Sequence, residues 1–410
     1  MTKKSSSDLP SRRTSESTAD TESCCIKENE GNRAAWLTVL GSVLVYYSSF
    51  GIMNSFGFFQ NFYTSDFLEH TSPPTIAFIG TLQIALMNSL AAISGALCDY
   101  YGIKYLYIGS GIGTIVALLA LSFAKSGQFW QVFLAQGLLM GLTIAFAIQP
   151  ALTVVGQHFK ERRAFAMGLV TTGSALGGIG FPLMFEKLLP VLGFSWALRV
   201  AALKIAVCYS IALGISTSKP SGKSIRRNCG SLLDFRGFLD TRYSVLCIGA
   251  FFCQAGQWIP SYYIKTYANA AYPGNPIADY FLPLMNSCSV VGAVIGGLTG
   301  DRIGRLNSLW PMVLMTGCSC LFIWLLIDSL IALVVFACLF GFSTGNFVAL
   351  IPPVIGQITP DDKLGARIGA FYSVVAISSL VGTPIGGALI TDDHSKEGYR
   401  WLICFALGWC

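Results

Sequence analysis

Residues 155–182 read VGQHFKERRAFAMGLVTTGSALGGIGFP, and the reading of this stretch decides the fold. A basic turn with Lys160, Arg162 and Arg163 opens an apolar run punctuated by Gly168, Gly173, Gly177, Gly178 and Gly180. An altered copy follows 200 to 202 residues later: Ile355-Gly356-Gln357 echoes Val155-Gly156-Gln157, Gly369 echoes Gly168, and Pro384 echoes Pro182. A repeat spanning half a chain implies two equivalent halves built to face each other. The chemistry to look for is therefore movement rather than bond-making.

Composition places that repeat in a membrane. Of 410 residues, 53% are hydrophobic and 12% charged, whereas water-soluble domains carry roughly 25% charged residues. Thirteen cysteines are present, but most, including Cys208, Cys247, Cys288 and Cys338, lie inside apolar runs as small hydrophobes and are expected reduced. Residues 1–35 form a tail of Ser, Thr and charged residues without apolar period, expected to be disordered and to contain no cleavable signal peptide. Its adjacent Cys24 and Cys25 are candidates for S-acylation.

Apolar runs recur at 36–60, 76–97, 105–124, 129–151, 165–188, 196–216, 244–264, 279–299, 309–327, 329–350 and 368–390. At about 1.5 Å per residue each reaches across a hydrocarbon core of roughly 30 Å. A twelfth run, Tyr399 to Cys410, is too short to cross alone and reads as a truncated span or a half-inserted terminal helix. The expected fold is thus an all-α polytopic membrane protein. It comprises a six-helix bundle at 36–216, a linker at 217–243 and a second bundle at 244–410 whose last helix is incomplete.

Basic residues orient the chain. With the amino-terminal tail inside, the inner segments carry 20 Lys and Arg against 6 outside. An excess of that kind faces the cytoplasm. It also accounts for the net charge of +6 without invoking nucleic acid.

Two inner loops repeat a motif. Gly95, Asp99, Gly102 and Lys104 follow the second span, and Gly297, Asp301, Arg302, Gly304 and Arg305 follow the eighth. An Asp there can cap a neighbouring helix N-terminus, at about 0.3–2 kcal/mol, and so latch the inner side; it can also simply form the turn. With these loops the chain resembles the major facilitator superfamily, whose inner-loop signature G-x-x-x-D-R-x-G-x-R is matched in the second half. In the first half Tyr100 replaces the Arg. The basic turn before the fifth span, Phe159, Arg162, Arg163, Ala166, Gly168, Gly173 and Gly177, resembles the monocarboxylate-porter branch, particularly its fungal members. So, in part, do Glu30, Gly31, Ala35 and Trp36. Arg162 and Arg163 join the two Asp–Gly loops as candidate gating residues.

The resemblance carries an expected architecture of two pseudo-symmetric six-helix bundles. It also implies that the fifth and eighth, and the second and eleventh, helices face each other. Glycines repeating every four residues, Gly173 with Gly177, Gly292 with Gly296 and Gly300, and Gly382 with Gly386, then read as the rocking seam between halves, or as static close packing. The family's arginine in the eighth span, which meets a substrate carboxylate in monocarboxylate carriers, aligns with Ala293. The anion hook is missing.

The cavity implied by the family lies among helices 1, 4, 7 and 10. Candidate lining residues are Asn54, Gln136, Thr143, Gln149, Gln254, Gln257, Trp258, Thr344 and Asn346, with Asn286 from the eighth span. Neutral amides and aromatics suit a solute with an apolar body and hydrogen-bonding edges, although any single amide can instead join two helices. Lys204 is the sole ionisable residue well inside a span and the candidate for ion coupling, unless it snorkels to the interface. No residue set suggests catalysis, a metal or a cofactor. The glycines of GSALGGIG lie inside a span with no strand before them.

These observations, with the resemblance, point to a monomeric plasma-membrane carrier working by alternating access, with efflux of a fungal secondary metabolite or organic acid as the leading reading. Proton-coupled uptake of a monocarboxylate or riboflavin-like nutrient, and a sensor that binds without transporting, are the alternatives.

Overall fold

A computed structural model describes residues 32–159, 162–218, 235–327, 329–359, 364–392 and 395–409. The amino-terminal tail up to residue 31, with Cys24 and Cys25, lies outside them, as does the linker between 219 and 234. The described residues are helical, with no strand among them.

The first half opens with α1 (Arg33–Asn54), which continues past a break at Ser55 as Phe56–Phe62. Next, α2 runs through Pro73–Ser89 and Ala91–Cys98 with a 45° bend between them. Then come α3 (Ile103–Ser122) and α4 (Phe129–His158). The stretch Arg163–Ile215 turns at Gly193, whose φ of +77° favours a residue without Cβ. It therefore divides into α5 (163–192) and α6 (194–215).

The second half contains α7 (Thr241–Ala271), α8 (Phe281–Ile303), α9 (Arg305–Leu325), α10 (Leu330–Ile358), α11 (Leu364–Ala388) and the short α12 (Arg400–Trp409). Most of these helices are long and apolar enough to cross a membrane. By that measure α7 falls short, because it carries Gln254, Gln257, Ser261 and Lys265. Its polar face is buried against the rest of the bundle, with Gln257 and Lys265 both under 10% exposed. The ten residues of α12 reach about 15 Å. They pack beside α7, where Tyr399 sets its ring 5.6 Å from that of Tyr267.

Glycine doublets show how the halves meet. A Cβ on Gly177 would lie 2.4 Å from the Tyr47 carbonyl of α1, within its own half, whereas one on Gly178 would meet the Asn286 amide of α8 at 2.7 Å. On α8, Gly296 abuts Asn346 of α10 in its own half, and Gly297 abuts the backbone of Ala164 and Phe165 on α5. On α11 both Gly386 and Gly387 first meet α7, at Ile259 and Tyr263, and Pro74 of α2 lies 3.5 Å from a Cβ on Gly387. One step along a helix turns the side by about 100°, so on α5 and α8 the second glycine of the pair looks at the other half.

The expectation that the four-residue glycine rows form the seam between halves is therefore corrected. Gly173 and Gly177 pack on α1, Gly292 and Gly296 on α10, and Gly382 on Ala255 of α7, all within one half. Rows of period four line up on one face of a helix, and that face is turned to the neighbour whose backbone comes closest. Between halves the contact falls instead on Gly168, against the Ala293 carbonyl, and on Gly178 and Gly297.

Candidate functional site

Between the halves lies a cavity of two lobes. The outer lobe is lined by Phe50 and Asn54 of α1, Thr171 and Ser174 of α5, Gln257, Trp258 and Ser261 of α7, Asn286, Ser289 and Ala293 of α8, and Phe340 and Thr344 of α10. An inner lobe is lined by Met87, Asn88, Ala145, Ile148, Gln149, Leu152, Gln254, Phe347, Ile351, Phe371, Tyr372 and Val375, among others. Phe50, Thr171, Gln257, Trp258 and Val348 border both and form a waist, where the Phe50 and Trp258 rings lie 6.1 Å apart across the two halves. None of the residues lining the two lobes is ionisable as a carboxylate, amine, guanidinium or imidazole.

Contacts between halves close both ends of this cavity. At the inner end, which carries the Asp–Gly loops, the Asp301 carboxylate accepts the backbone N–H groups of Ala164 at 3.3 Å and Phe165 at 2.9 Å. It thus caps α5 from the neighbouring half. At the opposite end Lys265 of α7 reaches Glu186 of α5 at 3.1 Å and Asp279 at 2.8 Å. Its ammonium also sits 5.3 Å from the Phe58 ring. Beneath this cluster Phe56 and Tyr262 pack at 4.9 Å, and Gly57 lets α1 approach the Ser261 carbonyl of α7.

The sequence profile of the Major Facilitator Superfamily matches residues 38–285 and 246–410. The chain belongs to the Major Facilitator Superfamily. Among relatives in this superfamily is the MFS transporter asaE of Aspergillus flavus, 34% identical over 365 residues, covering 88% of this chain and 81% of that protein. The aspyridones efflux protein apdF of Emericella nidulans is 30% identical over 88% of this chain and 73% of its own length. The fujikurins efflux protein of Gibberella fujikuroi is 32% identical over 92% and 80%. A crystal structure of a point mutant of the nucleoside transporter NupG superposes with a TM-score of 0.67 at 13% identity, covering 91% of this chain and 96% of that one. That likeness is one of fold.

In this superfamily member the expected cavity residues separate into two groups. Asn54, Gln149, Gln254, Gln257, Trp258, Asn286 and Thr344 line the lobes. Gln136, Thr143 and Asn346 do not line them. Gln136 is 1% exposed and accepts the Tyr63 hydroxyl, while its carbonyl takes the Gln83 amide at 2.6 Å. The π-helical turn Phe133–Met140 widens the helix there, freeing a carbonyl for α2. Thr143 bonds the Met140 carbonyl at 3.0 Å and Thr114 at 3.3 Å, facing α3. Asn346 is buried across Gly296. All three join helices.

The gating candidates divide likewise. Asp301 spans the halves, but Arg305 donates to the Pro353 carbonyl at 2.9 Å within its own half. Arg302 is exposed, Arg162 is exposed beside the start of α5, and Arg163 folds over Gly156. Gly102 and Gly304 take φ of +75° and +101°, the tight turns that the two loops need. A Cβ on Gly95 would meet only the Gln149 side chain at 3.7 Å, an ordinary contact. The side chain of Asp99 lies outside the described residues.

Lys204 lies over the rings of Tyr47 at 4.9 Å and Phe181 at 4.5 Å, clear of both lobes. Such cation–π seating is one way to hold an ammonium within a bundle. Three residue sets escaped the sequence reading: Thr171 and Ser174 of α5, Ser261 and Ser289, and the Glu186–Lys265–Asp279 cluster. For Thr171, Ser174 and Ser289 the signal was hydroxyl residues near the glycines of α5 and α8, while Ser261 of α7 has no such neighbour. For the cluster no spacing rule pairs residues 79 positions apart.

Proposed function

We propose that this chain exports a largely apolar fungal secondary metabolite across the plasma membrane by alternating access, with its amino terminus in the cytoplasm. Its place is in the monocarboxylate-porter-like branch. The observation that carries the reading is the cavity: both halves line it, aromatics and neutral amides furnish it, and Ala293 stands where a carboxylate-pairing arginine would be expected. Relatives named for efflux of aspyridones and fujikurins support the direction. Solute contacts fall to Asn54, Gln149, Gln254, Gln257, Trp258, Asn286 and Thr344, and the gate to Asp301 at one end and Lys265 at the other.

Alternating access requires each closure to break while the other holds. A short carboxylate-to-backbone cap and a three-member charge cluster are separable in that way. Deleting the gene in its host tests the proposal. Export predicts that a metabolite normally found in the medium accumulates in the cells and that tolerance to it falls. Unchanged partition of every secreted metabolite, together with pH-driven accumulation of labelled lactate by proteoliposomes, would replace export with uptake.

A further inference from the structure

The cavity's hydrogen-bonding groups identify the head group of its solute. Three polar side-chain atoms on the lining are buried with no hydrogen-bond partner: the indole Nε1 of Trp258, the Oε1 of Gln257 and the Nδ2 of Asn88. Their residues are 6%, 8% and 3% exposed, and all three border the inner lobe, with Trp258 and Gln257 at the waist. Buried polar groups in a folded protein are ordinarily paired, so these stand ready for a partner brought by a ligand. Trp258 offers an N–H, and the terminal amides of Gln257 and Asn88, whose two ends can be exchanged, each offer an oxygen or an N–H. Their complement is a carbonyl oxygen beside an N–H or O–H donor.

The outer lobe narrows the choice. Asn54 donates its amide to the Ser174 carbonyl at 3.3 Å, and Asn286 donates to the carbonyls of Gly178 at 3.3 Å and Leu282 at 3.0 Å. A carbonyl can only accept, so the orientation of both amides is settled: Asn286 has both N–H groups engaged and offers its oxygen, while Asn54 offers its oxygen and one remaining N–H. The hydroxyls of Thr171 and Ser174 donate to the carbonyls of Gly168 and Thr171 at 2.8 and 2.7 Å, so they too are left as acceptors. A carboxylate entering this lobe would meet these acceptor oxygens and no cation, with only neutral donors such as the Trp258 N–H to offset its charge. A neutral head with donors would meet partners. In the inner lobe Met87, Ile148, Leu152 and Val375 leave room for hydrocarbon.

Deepening the export reading on which it rests, we propose that the cavity selects an uncharged amphiphile. Its apolar body occupies the inner lobe, and its head joins a carbonyl to an N–H or O–H donor, as an amide or hydroxyamide does. Trp258 and Gln257 read that head; the Asn286 oxygen, with no cation on the lining, disfavours its acid counterpart.

Two probes with one tail test this: N-(2-hydroxyethyl)decanamide and decanoate, titrated at neutral pH against the full chain in phosphatidylcholine nanodiscs, with empty nanodiscs subtracted. The amide is expected to bind about tenfold tighter than the acid, and Trp258→Phe to weaken the amide about fivefold, the loss of one hydrogen bond, without moving decanoate. Gln257→Leu is expected to do the same and decides the matter if the Trp258 variant folds poorly. Decanoate binding as well as the amide, or normally melting variants that bind the amide like wild type, would overturn the proposal. Flux through proteoliposomes separates it from its foundation. Head-group selection without flux of the amide removes export and leaves the selectivity standing, and flux without head-group selection does the reverse.

Discussion

The two ends of the cavity are closed by different chemistry. At the inner end a single carboxylate, Asp301, holds two backbone N–H groups at the start of α5, with the positive end of that helix behind them. At the outer end Lys265 holds two carboxylates, one from each half, at 3.1 and 2.8 Å. In the proposed alternating-access cycle, parting of the inner end would cost Asp301 both of those N–H partners and turn it to water. Parting of the outer end would take Glu186 from Lys265 but leave it Asp279 on its own half. That arrangement would spare the outer cation an unpaired state in the apolar wall, the costly outcome for a charge within a bundle.

Removing the shared cation breaks that difference most severely. Lys265→Met leaves Glu186 and Asp279 together with no counter-charge. Stripping one partner from a fully buried pair costs about 3–5 kcal/mol, and the partial exposure of these carboxylates lowers the expectation to about 2 kcal/mol. The melting temperature in detergent is expected to drop further than for substitutions at Gly297, Asp301 or Glu186. An unchanged melt would mean that the cluster does not hold the outer end.

Crowding the seam comes next. A Cβ at Gly297 would lie 2.9 Å from the Ala164 carbonyl and 3.0 Å from Phe165 Cα, so Gly297→Ala forces α5 and α8 apart at the inner end. Overpacking of this kind costs about 1–3 kcal/mol. Gly109→Ala on α3, with nothing within 4 Å of its added methyl, is the control and should melt at or above wild type. Equal melting of the two variants would discard the seam. Asp301→Ala follows, because a lost cap costs about 0.5–2 kcal/mol. Hydrogen exchange at the amides of residues 164 and 165 should then rise by up to about tenfold, with exchange across Pro276–Tyr280 unchanged. A rise at both ends would show that the two closures are not independent.

The inner closure was legible in the sequence and the outer was not, for a physical reason. Asp301 stands in a loop motif whose short spacing forces a tight turn, and Gly304 takes the positive φ that the spacing implies. Glu186 and Lys265 meet only because α5 and α7 converge, which no local pattern records. Span lengths were readable because hydrophobic length is a local property. The facing of a polar residue is not local: Gln254 and Gln257 line the cavity, while Gln136, equally an amide in an apolar helix, turns to α2 and Tyr63. The doublets Gly177-Gly178, Gly296-Gly297 and Gly386-Gly387 were visible too. Reading them by four-residue period selected the face turned toward their own half.

Glu186→Gln is the mildest intervention and the one that isolates the asymmetry. The glutamine carbonyl can still accept from Lys265, and Asp279 retains the ammonium at 2.8 Å, so little stability should be lost, about 0.5 kcal/mol or less. What changes is the charge across the seam. In the wild type, Coulomb attraction between Lys265 and Glu186 favours the closed outer end, and salt weakens the exposed part of it. Hydrogen exchange across Pro276–Tyr280 should therefore rise with ionic strength in the wild type and rise less in the variant, where only the Lys265–Asp279 pair remains to be screened. Exchange at residues 164 and 165 should ignore salt in both, because their partner is a carboxylate held directly on the backbone. A variant whose outer end remained as salt-sensitive as wild type would place the attraction on Asp279 alone, and Lys265 would no longer be a bond between the halves.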